Sequence, residues 1–95
     1  MKYTVITGAS SGIGYEAALA FATRGKNLIL VARRDAELNK LKENIQSMNS
    51  ELDVVIKPTD LSESEQVHAL YESLKDYDIE TFVNNAGFGN SATVA

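Results

Sequence analysis

A few stretches of the 95-residue sequence hold residue types whose spacing could do chemistry. The first is Thr7-Gly8-Ala9-Ser10-Ser11-Gly12-Ile13-Gly14. Glycines at 8, 12 and 14 permit a tight turn and let backbone N–H groups approach an anion. A pyrophosphate seated at a helix N-terminus is the group such a segment suits. Glycines serving a strand-to-helix turn by packing alone are the plainer alternative. No Gly-Lys-Ser/Thr ends the segment, so it is not a P-loop, and three residues between Gly8 and Gly12 depart from Gly-x-Gly-x-x-Gly. Further along stand the pair Arg33-Arg34, the acidic Asp60 before Leu61, and the polar run Asn84-Asn85-Ala86-Gly87.

Strand-like and helix-like stretches must position these residues. Tyr3 to Thr7 is a β-branched run that stops at Gly8. Ile13, Ala17, Ala20 and Phe21 then recur at helical spacing, with Gly25 placed as a C-cap. Asn27 to Ala32 is almost continuously aliphatic, as a strand buried on both faces is. Asp35 is the expected N-cap of a helix with the stripe Leu38, Leu41, Ile45 and Met48. Leu52 to Lys57 reads as a third strand ended by Pro58, the single proline. Ser62-Glu63-Ser64-Glu65 has capping-box spacing ahead of the stripe Val67, Leu70, Tyr71 and Leu74. Ile79 to Val83 is the fourth strand, followed by a small-residue tail.

This β-α-β-α-β-α-β order predicts one α/β domain over 1–95: a Rossmann-like, doubly wound parallel sheet of four strands in order 3-2-1-4 with three helices. Ligands of such sheets bind beyond the carboxyl ends of the strands, where the order reverses. Here the reversal falls between the first and fourth strands. Both end in the unusual residues, Thr7-Gly8 onward and Asn84-Asn85 onward.

Composition narrows the classes further. A net charge of −4 lacks the basic field of a nucleic-acid binder, and no cysteine is present for disulfides or thiolate metal sites. Apolar runs such as Leu28 to Ala32 are far too short for a membrane span, so no membrane partner and a cytoplasmic location are expected.

Thr-Gly-x-x-x-Gly-x-Gly at the first turn, Asp60-Leu61 after the third strand and Asn-Asn-Ala-Gly after the fourth together resemble the short-chain dehydrogenase/reductase family. The resemblance spans the whole chain but only the cofactor half of the family's domain. It implies that Gly8, Gly12 and Gly14 shape the turn while Ser10, Ser11 and Ile13 line the cofactor phosphates. Asp60 and Leu61 would contact the adenine; a simple cap or Asx turn before the third helix is the alternative for Asp60, and both roles can coexist. Asn84, Ala86 and Gly87 would border the riboses, with backbone bridging at the strand end as the alternative for Asn84 and Asn85.

Ala32 ends the second strand where an NAD-preferring Rossmann domain places an acidic residue, and Arg33 and Arg34 follow. An arginine fork suits a 2′-phosphate, so NADP is expected ahead of NAD. The competing role for either arginine is a solvated position or a pair with Asp35 or Glu37.

Tyr71-x-x-x-Lys75 imitates the dyad with which the family protonates a carbonyl, but it precedes Asn-Asn-Ala-Gly, whereas the family's dyad follows that motif. Tyr71 is therefore read as a packing residue of an outer helix. His68, Lys40, Lys42 and Glu43 are read as solvated surface. By the family's pattern the catalytic Asn, Ser, Tyr and Lys would all lie beyond Ala95, so the chain carries no catalytic assignment and is expected to be inactive alone. Two functions of different class remain. One is the cofactor portion of an NADP(H)-dependent reductase acting on a small carbonyl or alcohol; the other is a standalone module binding a nucleotide or a partner without catalysis. Ending at its fourth strand, such a sheet would expose Ile79, Phe82 and Val83 on an edge, and self-association or a homo-oligomer is expected there.

Overall fold

The structure, a computed structural model, describes residues 1–9 and 12–85 and the backbone of 92–94. Its elements run β1 (Lys2–Thr7), α1 (Gly12–Thr23), β2 (Asn27–Ala32), α2 (Asp35–Met48), β3 (Val54–Pro58), α3 (Ser64–Leu74), β4 (Asp78–Asn84) and β5 (Ala92–Val94). The strands lie in the order β3-β2-β1-β4-β5. The first four are parallel in the expected 3-2-1-4 arrangement. β5 is an addition that the sequence did not announce. It runs antiparallel to β4 and pairs with Phe82 to Asn84, so the expected bare edge is partly covered.

Period-two alternation divides the central strands between two cores. Ile6, Leu28, Leu30 and Ala32 pack with Ala18 and Ala22 of α1 and with Leu38, Leu41 and Ile45 of α2. Tyr3, Val5, Ile29 and Val31 pack on the opposite face with Leu70 and Leu74 of α3. Each fully buried aliphatic side chain contributes about 1.5–3 kcal/mol. The Leu/Ile/Val run of β2 is thereby explained: both of its faces are covered.

Several helix details differ from expectation. α1 turns Gly14, Ala18 and Ala22 inward, while Ile13 and Ala20 are exposed and Ala17 and Phe21 are half-buried. The smallest side chains let α1 sit close to the sheet, and the larger apolar residues flank that contact. Asp35 is the first residue of α2, not its cap; Arg34 holds that position without a side-chain capping bond. Met48 is largely exposed. β3 starts at Val54 and includes Pro58, while Leu52 is buried in the preceding turn. The capping box of α3 does not form, because the Ser62 hydroxyl donates to Asp60 Oδ1 instead.

At the amino ends of the strands, side chains tie β1, β2 and β3 together. Asn27 Nδ2 donates to the Lys2 carbonyl at 3.2 Å, and Asn27 Oδ1 accepts from the Asp53 N–H at 2.9 Å. The Tyr3 hydroxyl donates to the Asp53 carboxylate, and its ring meets Tyr77 edge-on with centroids 5.0 Å apart. The bond to Asp53, helped by burial and by the charge of Asp53, pushes the Tyr3 pKa up to about 12. A folded-state value above the ordinary 10 means that the Tyr3 contribution is complete below pH 10 and is lost as pH rises toward 12. Denaturant titrations at pH 9 and pH 11.5 are expected to show a larger loss of stability in the wild type than in Tyr3→Phe. Equal losses would refute this assignment.

Candidate functional site at the carboxyl ends of β1 and β4

Gly8 follows β1 with φ of 65°, a left-handed conformation that L side chains seldom adopt. The chain turns there, and the Ala9 N–H still reaches the Val31 carbonyl of β2 at 3.1 Å. α1 begins four residues after Gly8, so its first-turn N–H groups lie just beyond the end of β1. No acidic residue occupies that first turn, leaving its positive dipole end uncompensated by side-chain charge.

Gly14 and Gly12 have different reasons for being glycine. A Cβ at Gly14 would lie 2.2 Å from the Gly8 carbonyl oxygen, a backbone atom that cannot step aside. Among the described residues, a Cβ at Gly12 would meet no atom within 4 Å, its chain neighbours and its own helix backbone apart, and its φ is not positive. The fold therefore requires Gly14 and tolerates a side chain at Gly12. What a side chain at Gly12 would obstruct is the exposed space in front of α1. Ile13 borders the same space with three-quarters of its surface exposed, 75%.

Thr7 closes the gap between β1 and β4. Its hydroxyl, almost wholly buried, accepts from the Asn85 N–H at 2.9 Å and donates to Asn84 Oδ1 at 3.0 Å. Asn84 and Asn85 thus bridge the strand ends, and one oxygen of the Asn84 amide is committed to that bridge. The sequence motif begins at Thr7, but sequence reasoning gave that residue no role of its own. Its signal was a hydroxyl residue as the last position of a strand facing an Asn-Asn pair.

Several hydrogen bonds hold the loop after β3. Thr59 is buried, and its N–H donates to the Ala32 carbonyl at 2.8 Å. Asp60 Oδ1 accepts from both the N–H and the hydroxyl of Ser62, at 3.0 and 2.6 Å. These two bonds, with the nearby charge of Arg33, hold the Asp60 carboxyl below the usual carboxylate range. Asp60 Oδ2 accepts no bond among the described residues, and the neighbouring Leu61 N–H has no partner there. The Asx turn foreseen for Asp60 therefore exists and still leaves a free acceptor beside a free donor.

Arg34 and Arg33 separate cleanly. Arg34 Nη1 pairs with Glu37 Oε1 at 3.5 Å on an exposed surface. Arg33 is exposed and makes no ion pair among the described residues, while its charge acts on Asp60. Ser10, Ser11, Ala86 and Gly87 lie outside the described residues. Tyr71 and Lys75 do not form a dyad: Tyr71 stacks on Phe82 with centroids 6.2 Å apart, and Lys75 pairs with Glu72 at 3.1 Å. His68 is 80% exposed and lies 3.9 Å from Glu72. No group of three metal-ligating side chains occurs among the described residues.

A doubly wound parallel sheet with a glycine turn, an open helix N-terminus and an asparagine bridge at its switch point defines a nucleotide-binding class of fold. The family model for short chain dehydrogenase matches residues 2–95, and the chain belongs to that family. It is 37% identical over 91 residues to 11-beta-hydroxysteroid dehydrogenase of Pinus massoniana, covering 95% of this chain and 26% of that protein. It is also 37% identical over 95 residues to very-long-chain 3-oxoacyl-CoA reductase of Coccidioides immitis, covering 98% of this chain and 27% of that one. Among solved structures, it resembles the bulky-bulky ketone specific alcohol dehydrogenase of Comamonas testosteroni with a TM-score of 0.86, at 33% identity over 97% of this chain and 37% of that one. A short-chain dehydrogenase of Sphingobium yanoikuyae in complex with NADPH gives 0.85, at 36% identity over 97% of this chain and 36% of that one. The chain thus spans about a quarter to two-fifths of the length of these relatives.

The two glycines make opposite predictions. Gly14→Ala should cost several kcal/mol or prevent folding, since its Cβ overlaps backbone. Gly12→Ala should leave stability unchanged or raise it by up to about 1 kcal/mol through helix propensity. Thermal denaturation of both variants checks the contrast.

Proposed function

We propose that the chain is the cofactor-binding portion of an NADP(H)-dependent short-chain dehydrogenase/reductase. Its full protein would transfer hydride between nicotinamide and the carbon of a small carbonyl or alcohol substrate. Gly12 carries the reading: it is a glycine that neither packing nor φ requires, at the mouth of a helix N-terminus. Space for a pyrophosphate explains it, and Ser10 and Ser11 of the same turn would join in holding the phosphates. The bound dinucleotide supplies the hydride donor or acceptor; the residues present here hold and orient it.

Each part of the dinucleotide has a fitting residue. Asp60 Oδ2 and the Leu61 N–H offer an acceptor beside a donor, the complement of the donor and acceptor on the Watson–Crick edge of adenine. Arg33, exposed and in no ion pair among the described residues, suits a 2′-phosphate, and the structures similar to this chain include NADPH complexes. Arg34, tied to Glu37, is the weaker candidate. Asn84, Ala86 and Gly87 would border the riboses from the end of β4. No residue of the chain takes a catalytic part in this reading, in which Tyr71 is a packing residue stacked on Phe82. A cytoplasmic location goes with the same reading as an expectation of the sequence.

Arg33→Ala should weaken NADPH binding about ten-fold or more and leave NADH binding nearly unchanged, as loss of a charge-assisted bond to one phosphate predicts. Calorimetric titration with both cofactors tests this, and equal losses would overturn the NADP assignment. Gly12→Val should abolish binding of either cofactor in a protein that still folds.

The same reading includes self-association. β5 pairs only with Phe82 to Asn84, so the outer edge of Asp78 to Thr81 has no strand beside it among the described residues. Tyr71, half-exposed, and Phe82 lie above it. Sedimentation should show dimers or larger species whose fraction falls in Tyr71→Glu; a strict monomer at all concentrations would count against the proposal.

A further inference from the structure

The start of α3 is built in an unusual way. In a capping box, the side chain at the third helical position accepts from the N–H of the cap residue. Here the cap residue Glu63 sends its N–H to the Asp60 carbonyl at 3.1 Å, and its side chain makes no capping bond. Gln66, at the third helical position, is thereby released to reach past the cap. Its Oε1 accepts from the Asp60 N–H at 2.7 Å. This is the one side chain of α3 that bonds to the Asp60–Leu61 segment among the described residues.

Packing secures the neighbouring residue: the Leu61 side chain lies against the core that holds Leu70 and Leu74 of α3, while the Asp60 backbone depends on hydrogen bonds. Between the end of β3 and α3 lies an open cavity of about 240 Å³, bordered by Ile56, Pro58, Thr59, Ala69 and Ser73, with Gln66 among its walls. The helix and the strand end stand apart there, and the Gln66–Asp60 bond spans the gap. Rotation about the Asp60 backbone moves Oδ2 and the Leu61 N–H together. The Ser62 bonds set the carboxylate, the Glu63 N–H holds the Asp60 carbonyl, and the Gln66 bond sets the Asp60 N–H, so Gln66 shares in placing the acceptor–donor pair.

We infer that Gln66 is a positioning residue for purine selection: it holds the Asp60–Leu61 pair in register with the adenine edge and so sets the preference for adenine over a purine of opposite polarity. The inference rests on the reading of Asp60 and Leu61 as the adenine contact. Hypoxanthine reverses both functions of that edge, presenting an acceptor to the carboxylate and a donor to the N–H. A well-held pair therefore rejects it, whereas a loose pair does not.

The test uses the 95-residue chain, NADPH and its hypoxanthine analogue, with wild type, Gln66→Ala and Gln66→Glu, the last keeping an acceptor at the same reach. Wild type should prefer NADPH by about ten-fold, the worth of two modest hydrogen bonds exchanged for two unpaired groups. Gln66→Ala should cut that preference about three- to five-fold, and Gln66→Glu should restore most of it. Amide exchange supplies a readout that needs no ligand: the Asp60 N–H should lose protection in Gln66→Ala and keep it in Gln66→Glu. Unchanged Asp60 exchange in Gln66→Ala would overturn the strut. A wild-type preference that Gln66→Ala leaves intact would overturn the positioning role while sparing the adenine contact. A wild type without any preference would overturn the adenine contact and the positioning role with it.

Discussion

No side chain fits between the amino end of α1 and the turn after β1. The Gly14 position lies so close to the Gly8 carbonyl that a single methyl would overlap it. That approach brings α1 down onto the sheet along Gly14, Ala18 and Ala22, and it aims the first N–H groups of the helix past the end of β1. Were the helix held further out, the inward alanines would lose their contact with Ile6 and Leu30 in the same core. The dipole end would also recede from the crevice. Folding and the anion binding proposed for this turn therefore depend on the same contact.

The two ends of the sheet are treated differently. At the amino ends, Asn27 and the Tyr3–Asp53 bond join β1, β2 and β3 through partners that satisfy one another. At the carboxyl ends, Thr7 joins β1 to β4 through Asn84 and Asn85, but among the described residues Asp60 Oδ2 and the Leu61 N–H accept and donate no bond and Arg33 makes no ion pair. Unpaired polar groups at a surface cost little because water serves them, yet they are the groups a ligand can recruit. The sheet is closed at one end and receptive at the other.

The strand order and both cores were legible in the sequence because burial on two faces leaves a strong trace: continuous aliphatics in β2 and an apolar stripe at Leu38, Leu41 and Ile45. Helix starts were less legible. Asp35 and Ser62 have capping side chains, but Arg34 takes the cap position of α2 and Ser62 is drawn to Asp60. Tertiary bonding prevailed over local preference in each case. The face of α1 was misjudged for a related reason: periodicity weights large apolar residues, whereas close packing selected the smallest. β5 carries no apolar pattern of its own and follows from pairing with β4. In the site, the glycines and Arg33 were readable by type, while Thr7 and Gln66 were not, because their roles exist only once distant segments meet.

Residues that the fold does not need are the most informative about function. Gly14 would be glycine in any protein with this turn, so its presence says little about a ligand. Among the described residues, Gly12 meets no atom that forbids a side chain, and Arg33 is an exposed cation without an ion-pair partner beside a carboxylate that is already bonded. Stability alone would favour alanine at Gly12 and would be indifferent to the side chain at position 33. Both residues border the same crevice at the carboxyl ends of the strands. A ligand with a pyrophosphate for the one and a further phosphate for the other accounts for both departures, and packing accounts for neither.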